Sequence, residues 1–376
     1  MKFTCTKKDL LEALGVVSKA VAPVQADQMM LSMVYLYAHD TALEIHANNF
    51  ELGIIDYIPA TVDSPGKIAL SGKYFQEVVR KLPDDIARIS LDSESHLVTI
   101  KSGAANFTLL SSDAEKFPVV EKLEGELDFE IHNEIFIPLV RQTISACSTS
   151  DSRPVFTGGN FKINGRNVSL SATDTHQLAI KTAEIKDPAD TQGEEKSIVI
   201  PAKTLLGVMK DCSVNGSLAD IHIVSDYKQI GFEFDNIYVR SRLIEGKFPP
   251  LDNVIPREFT TEISVRKDYI MNAADRVALI SRSDELRIVT LDFQPGELHI
   301  SSNSKDIGFA EEVIPMKLEG NELKIAFDSR FLLNALKSVT GEFCRLSLSD
   351  PLKPMLVREK DDESLQYIIT PVRNAE

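Results

Sequence analysis

The chain writes one pattern three times. A repeat restricts the fold more tightly than composition does, because every copy must build the same supersecondary unit and bury its apolar face in the same way. FTCTKKDLLEALGVVSKAV (3–21), FEIHNEIFIPLVRQTISAC (129–147) and ISVRKDYIMNAADRVALIS (263–281) each read as a short alternating strand followed by an amphipathic helix. About 65 residues beyond each start lies a second strand–helix unit: IALSGKYFQEVVRKL (68–82), IVIPAKTLLGVMKDC (198–212) and IAFDSRFLLNALKSV (325–339). Short strands fill the rest. Asn164-Gly165 inside FKINGRNVSLSATD marks a hairpin, and so does Pro295-Gly296 inside LDFQPGELHIS. AEKFPVV (114–120) and EGKFPPL (245–251) each end a strand before a polar linker. At 376 residues the chain exceeds what one core supports. The expectation is an α+β protein of three similar domains, 1–121, 128–251 and 257–376, each with two helices on antiparallel sheets.

With 43% apolar and 26% charged residues the chain has the composition of a folded globular protein. The start, MKFTCTKKDLLEALG, has no apolar signal region, and no 18 uncharged apolar residues run together, so a cytoplasmic, membrane-free protein is expected. Cys5, Cys147, Cys212 and Cys344 form no CxxC pair and read as reduced, mostly buried thiols.

A net charge of -15 argues at first against a nucleic-acid partner. The charge is segregated, however. The six helical segments (7–21, 72–82, 133–148, 202–212, 266–282 and 328–338) hold 15 Lys and Arg against 8 Asp and Glu, so they carry +7 and the remainder -22. If the helices share a surface, Lys7, Lys8, Lys73, Arg80, Lys81, Arg141, Lys203, Lys210, Arg276 and Lys337 line it with positive charge fit for phosphates. The competing reading is six ordinary solvated helix faces.

Candidate chemistry is sparse. In SATDTHQLAI (171–180), Asp174 and His176 stand two apart, as an acid–base pair on one strand face would. Catalysis would also need a nucleophile or a metal, and the other histidines show no metal-ligand spacing. GKIALSGK (66–73) resembles a phosphate-binding loop, but it has five residues between its glycines where four are needed, and Tyr74 stands where Ser or Thr would hold magnesium. It reads as a turn, a strand and a helix start. Without a helix-turn-helix, zinc-finger or aromatic RNA-binding motif, any DNA binding is expected to be blind to sequence.

ATDTHQLA (172–179), SRLIEGKFP (241–249) and YIITPVR (367–373), in this order on a threefold repeat, resemble the motifs ATDGHRLA, SRLI(D/E)G(R/K)FP and YVVMPMR of the bacterial sliding clamp, the beta subunit of DNA polymerase III. The resemblance covers essentially the whole chain. It implies a head-to-tail homodimeric ring of six domains, with twelve helices around a central hole and sheets outside. It further implies sequence-independent binding of duplex DNA, tethering of the replicative polymerase, opening by an ATP-driven clamp loader, and docking of other proteins that carry clamp-binding peptides. No cofactor, metal or catalytic residue is implied.

Carried over by position, the resemblance places the peptide cleft at Phe156, Thr173, Thr175, His176, Gln177, Leu178, Pro249, Val254, Leu352, Pro354, Ile368, Ile369, Thr370, Pro371, Val372 and Arg373. It places the ring interface at Phe107 and Leu109, facing Leu279, Ile280, Glu311 and Glu312. Four departures stand out. Thr175 and Gln177 replace the family's Gly and Arg, which narrows the backbone options and removes a cation from the cleft rim. Gln25 and Ala202 stand where family members carry Arg for DNA. Two other readings remain open at this stage. One is an enzyme using Asp174 and His176, for example a hydrolase; the other is a repeat-built scaffold with no nucleic acid in its hole, a reading that gains if the basic helix faces pack inside the domains.

Overall fold

The computed structural model describes residues 1–24, 28–214, 220–251 and 253–372. Gln25 and Arg373 therefore lie outside the described residues. Among the described residues, six α-helices form where the apolar periodicity expects them: α1 (Lys7–Val17), α2 (Gly72–Lys81), α3 (Asn133–Thr143), α4 (Ala202–Val214), α5 (Lys267–Val277) and α6 (Ser329–Ser338). α1 and α3 end early because the last turn tightens into 3-10 helices, Ser18–Ala20 and Ile144–Ala146. α1 starts where Thr6 accepts the Asp9 amide at 3.0 Å, and α6 where Asp328 accepts the Arg330 amide at 2.8 Å. Leu10, Ala13, Leu14 and Val17 of α1 are buried at helical spacing, each large side chain contributing about 1.5–3 kcal/mol.

Among the described residues all strand pairings are antiparallel, and the strands assemble into four sheets in two compact units. The first unit comprises 1–133 and 210–243. It holds a five-stranded sheet in the order Thr61–Ser64, Lys2–Thr6, Ile86–Asp92, Leu97–Ser102, Ala105–Leu110. Its eight-stranded sheet runs Leu127–His132, Asp220–Ser225, Gln229–Phe234, Ile237–Arg242, Leu52–Pro59, Ala42–Asn48, Met33–His39, Gly66–Ser71. The second unit comprises 134–209 and 244–376. Its nine-stranded sheet runs Lys196–Pro201, Gly158–Asn164, Asn167–Thr173, Gln177–Glu184, Leu365–Ile369, Met355–Glu359, Phe343–Leu348, Thr261–Arg266, Lys317–Gly320. A four-stranded sheet completes it: Gly308–Pro315, Glu297–Ser304, Ile288–Gln294, Leu323–Asp328.

The repeat accounts for this partition. Each third supplies strands to two sheets, and one strand of each third pairs with a strand of the next: Ile237–Arg242 with Leu52–Pro59, and Gln177–Glu184 with Leu365–Ile369. Backbone pairing across the repeat boundaries removes four sheet edges, so the strands of the middle third are shared between the two compact units.

The two hairpins form with one change of register. Asn164 pairs with Asn167, so the turn is Gly165-Arg166, and Gly165 supplies the positive φ of 58°. Pro295-Gly296 is the second turn, with Gly296 at φ 91°. The loop-like glycines of GKIALSGK bracket the strand Gly66–Ser71 and the start of α2. All four cysteines are free, and burial pushes the Cys5 and Cys212 thiols up to about 12. No helix among the described residues is long and apolar enough to cross a membrane.

Candidate docking cleft, basic helices and open edges

Asp174 builds a turn. Its Oδ1 accepts the amides of His176 (2.8 Å) and Gln177 (2.9 Å), and its Oδ2 accepts the Gln177 side-chain amide (2.9 Å). The His176 ring instead stacks on Phe331, with centroids 5.9 Å apart and planes 10° from parallel. A carboxylate occupied by three N–H donors, with the imidazole turned to another ring, is no acid–base couple. No group of metal-ligating side chains occurs among the described residues.

Thr175 sits at the corner of this turn with φ 83°, its amide held 3.0 Å from Thr173 Oγ1. A β-branched residue there carries about 1–3 kcal/mol of strain, whereas glycine adopts the same geometry freely. Relief of strain, less the greater unfolded-state freedom of glycine, leaves Thr175→Gly about 1 kcal/mol more stable, with Tm raised by a few degrees. Thermal unfolding beside Thr175→Ala, which keeps Cβ, checks this; an unchanged Tm in the glycine variant contradicts it.

Gln177 corrects the sequence reading. It is 4% exposed and lies in no rim. Its amide nitrogen donates to Asp174 and to Ser145 O (3.3 Å), while its oxygen accepts Tyr367 Oη (2.8 Å) and the Asn334 amide (3.4 Å). The cause is strand alternation. Gln177 pairs with Ile369, and Tyr367 and Ile369 share the face packed into the main core of this unit. Leu178 pairs with Ile368 on the opposite face, where both join Leu356, Leu251, Ile255 and Phe259. Ile369 and Gln177, on the face turned to that core, drop out of the candidate cleft; Leu178 and Ile368, though equally buried, lie on the other face.

The remaining cleft candidates sort by position. Phe156 packs edge-on against Phe248, 6.1 Å between centroids, in a cluster that shares Leu251 with the Leu178 group. Thr173 is buried and gives its hydroxyl to Gln177 O at 2.7 Å. His176 O accepts both the amide (2.9 Å) and the hydroxyl (3.0 Å) of Thr370, and the Val372 amide binds Ala326 O (2.8 Å). Thr175, His176, Val254 and Leu352 are exposed, and Pro249, Pro354, Thr370, Pro371 and Val372 are half-buried. The arrangement is an apolar floor beside exposed apolar side chains and a hydrogen-bonded turn, suited to an extended peptide.

Most of the candidate DNA contacts face solvent. Lys8, Lys73, Arg80, Lys81, Arg141, Lys203, Lys210, Arg276 and Lys337 are exposed, so the condition for the scaffold reading, basic faces packed inside, is not met. Lys7 and Arg276 are committed elsewhere. Lys7 Nζ donates to Leu82 O at the end of α2 (2.6 Å), and Lys267, which the sequence reading passed over, does the same to Val339 O beyond α6. Each lysine opens the first helix of a pair and neutralises the carbonyl end of the second. Arg276 forms a two-bond ion pair with Glu312, joining a candidate DNA contact to a candidate interface residue. Ala202 opens α4.

Phe107 and Leu109 lie half-buried on Ala105–Leu110, the terminal strand of its sheet, where Leu110 is 76% exposed. Glu311 and Glu312 lie on Gly308–Pro315, the terminal strand of the four-stranded sheet, where Phe309 is 62% exposed. Leu279 is exposed and Ile280 half-buried in the turns after α5. Each of these two strands is paired on one side only among the described residues.

Comparison with known proteins gives this geometry its context. Three models of the DNA polymerase III beta subunit match in order: the N-terminal domain over 1–121, the central domain over 130–250 and the C-terminal domain over 252–373. The beta sliding clamp of Bacillus subtilis (strain 168) is 33% identical over 383 residues, covering 99% of this chain and 100% of the relative. That of Staphylococcus aureus (strain Mu50 / ATCC 700699) is 28% identical, covering 99% of each. Among solved structures, the DNA polymerase sliding clamp of B. subtilis aligns with a TM-score of 0.92 at 32% identity, over 100% of this chain and 99% of that one. The Pseudomonas aeruginosa clamp bound to griselimycin aligns with a TM-score of 0.92 at 26% identity, over 100% of both. Matched along nearly its whole length by all three domain models, the chain belongs to the DNA polymerase III beta subunit family.

Proposed function

We propose that this protein is a DNA sliding clamp, a non-enzymatic processivity factor of replication. Two copies close head to tail around duplex DNA through the open strands Ala105–Leu110 and Gly308–Pro315. Processivity needs no bond to be broken: topological linkage keeps the ring on DNA, and a tethered polymerase rebinds at high effective concentration instead of diffusing away. The observation that carries the reading is the placement of exposed cations, without an ion pair among the described residues, on five of the six described helices of an acidic chain: Lys8, Lys73, Arg80, Lys81, Arg141, Lys203, Lys210 and Lys337. Weak, non-directional phosphate contacts let a ring slide, and an acidic body discourages DNA from binding elsewhere.

Partner peptides of the polymerase, the clamp loader and other DNA-processing proteins dock on the face bearing Leu178 and Ile368, oriented by the 173–176 turn. The ring works in the cytoplasm beside the DNA, and the three repeats act as its domains I to III.

Loading the protein with a clamp loader onto a nicked circle and then linearising the DNA tests this function. Retention on the circle with escape from the free ends is the expected result. Indifference to linearisation rules out topological binding.

A further inference from the structure

The junction between the first and second repeats is built like the one that carries the proposed peptide cleft. In the turn 48–52, Asn48 Oδ1 accepts the Phe50 amide (2.8 Å) and Asn49 Oδ1 accepts the Leu52 amide (2.8 Å). Phe50 takes φ 70° where Thr175 takes 83°. The strand after each turn pairs with the last strand of the next repeat, so Leu52↔Ser241 and Gly53↔Arg240 correspond to Gln177↔Ile369 and Leu178↔Ile368. Pro118 to Val120 of AEKFPVV run beside it, with Pro118 O held by the Asn48 amide at 2.9 Å, just as EGKFPPL brings Leu251 to Leu178 and Ile368.

The chemistry of the floor differs. Arg240 replaces Ile368 and Gly53 replaces Leu178; a Cβ on Gly53 would come 2.9 Å from Val120 Cγ2. What results is an open groove of about 510 Å³ whose lining includes Phe50, Val119, Arg240 and Arg242. Phe50 is 63% exposed and Val119 45% exposed. Arg240 donates to Gln229 Oε1 (2.6 Å) and Glu121 O (3.1 Å), neither of them charged, and Arg242 is exposed with no ion pair among the described residues. Glu51 is the one acid in the lining, so the groove is net positive on a chain of charge -15.

We infer that this groove is a second docking site, and that its occupant is a short acidic peptide of a partner protein. The peptide sets an apolar side chain against Phe50 and Val119 and a carboxylate on Arg240 and Arg242. A phosphate chain would use the arginines and leave Phe50 and Val119 in water, whereas an acidic peptide satisfies both.

The test is fluorescence anisotropy of the labelled hexapeptide Glu-Asp-Leu-Phe-Glu-Asp against the full chain. Saturable binding in the micromolar range is expected, weakened at least tenfold by Arg242→Glu and by Phe50→Asn, a residue that tolerates the left-handed backbone. Unchanged melting temperatures establish that both variants fold. Absence of saturation overturns the proposal, as does loss of binding in Leu352→Asp with Arg242→Glu silent, which assigns the peptide to the other cleft. Displacement by duplex DNA with Phe50→Asn silent overturns it too, leaving only an anion patch.

Discussion

In the proposed head-to-tail dimer, replacing both Phe107 and Leu109 with Asp is expected to halve the mass of the protein in solution. The two side chains lie two apart on the terminal strand Ala105–Leu110, so they share one face, and the free backbone edge beside them is the natural template for a strand of a second copy. In the proposed ring, closing that edge against Gly308–Pro315 would cover Phe107 and Leu109 and set any new carboxylate beside a strand that already carries Glu311 and Glu312. Each buried, unpaired carboxylate costs several kcal/mol, and repulsion adds to it, so dimer affinity falls by at least about a thousandfold. The strand is at the margin of its unit, so the monomer keeps its fold. Sedimentation equilibrium with a thermal melt checks both points; a variant that stays dimeric moves the interface elsewhere. Arg276→Ala is a milder probe of the same edge, because it frees Glu312 from its ion pair.

The second large effect is a pH dependence centred on Asp56. Its carboxyl, 3% exposed within the strand Leu52–Pro59, is pushed up to about 7, first by burial and then by the nearby Asp211 charge, against the pull of the Asn236 amide. Asp211 is itself buried and held by Lys19. For an acid whose pKa is raised by folding, the folded state keeps its proton while the unfolded chain has lost it. Stability is therefore greatest below the unfolded pKa near 4 and falls as pH rises towards 7, levelling off above. Asp56→Asn keeps an acceptor for Asn236 and removes the charge. Relative to the parent, its stability should improve by about 2–4 kcal/mol between pH 4 and 7 and then stay constant. Urea unfolding of both proteins across that range decides it; parallel profiles would show that Asp56 does not titrate there.

What the sequence alone determined is local and periodic. The 3.6-residue spacing of Leu10, Ala13, Leu14 and Val17 and of its repeats locates the helix starts within about one residue and their ends within about five, since a helix must bury one stripe. Gly165 and Gly296 locate turns because they alone relax at positive φ there. The order of the three motifs identified the family and with it the region of the proposed cleft.

Tertiary structure decided which face of each strand is used. In YIITPVR, Ile368 and Ile369 are equivalent by composition, and alternation says only that they point apart. The pairing with Gln177–Glu184 sends Ile369 and Gln177 into the core and leaves Ile368 and Leu178 on the side of the proposed cleft. Strain at Thr175 and Phe50 was equally hidden, because side-chain oxygens of Thr173, Asp174, Asn48 and Asn49 hold a conformation that neither residue prefers. Sequence counts charges but cannot pair them across 36 residues, as Arg276 and Glu312 are paired. Contacts between residues distant in the chain are set by which strands meet, and that register is the property of the assembled sheet.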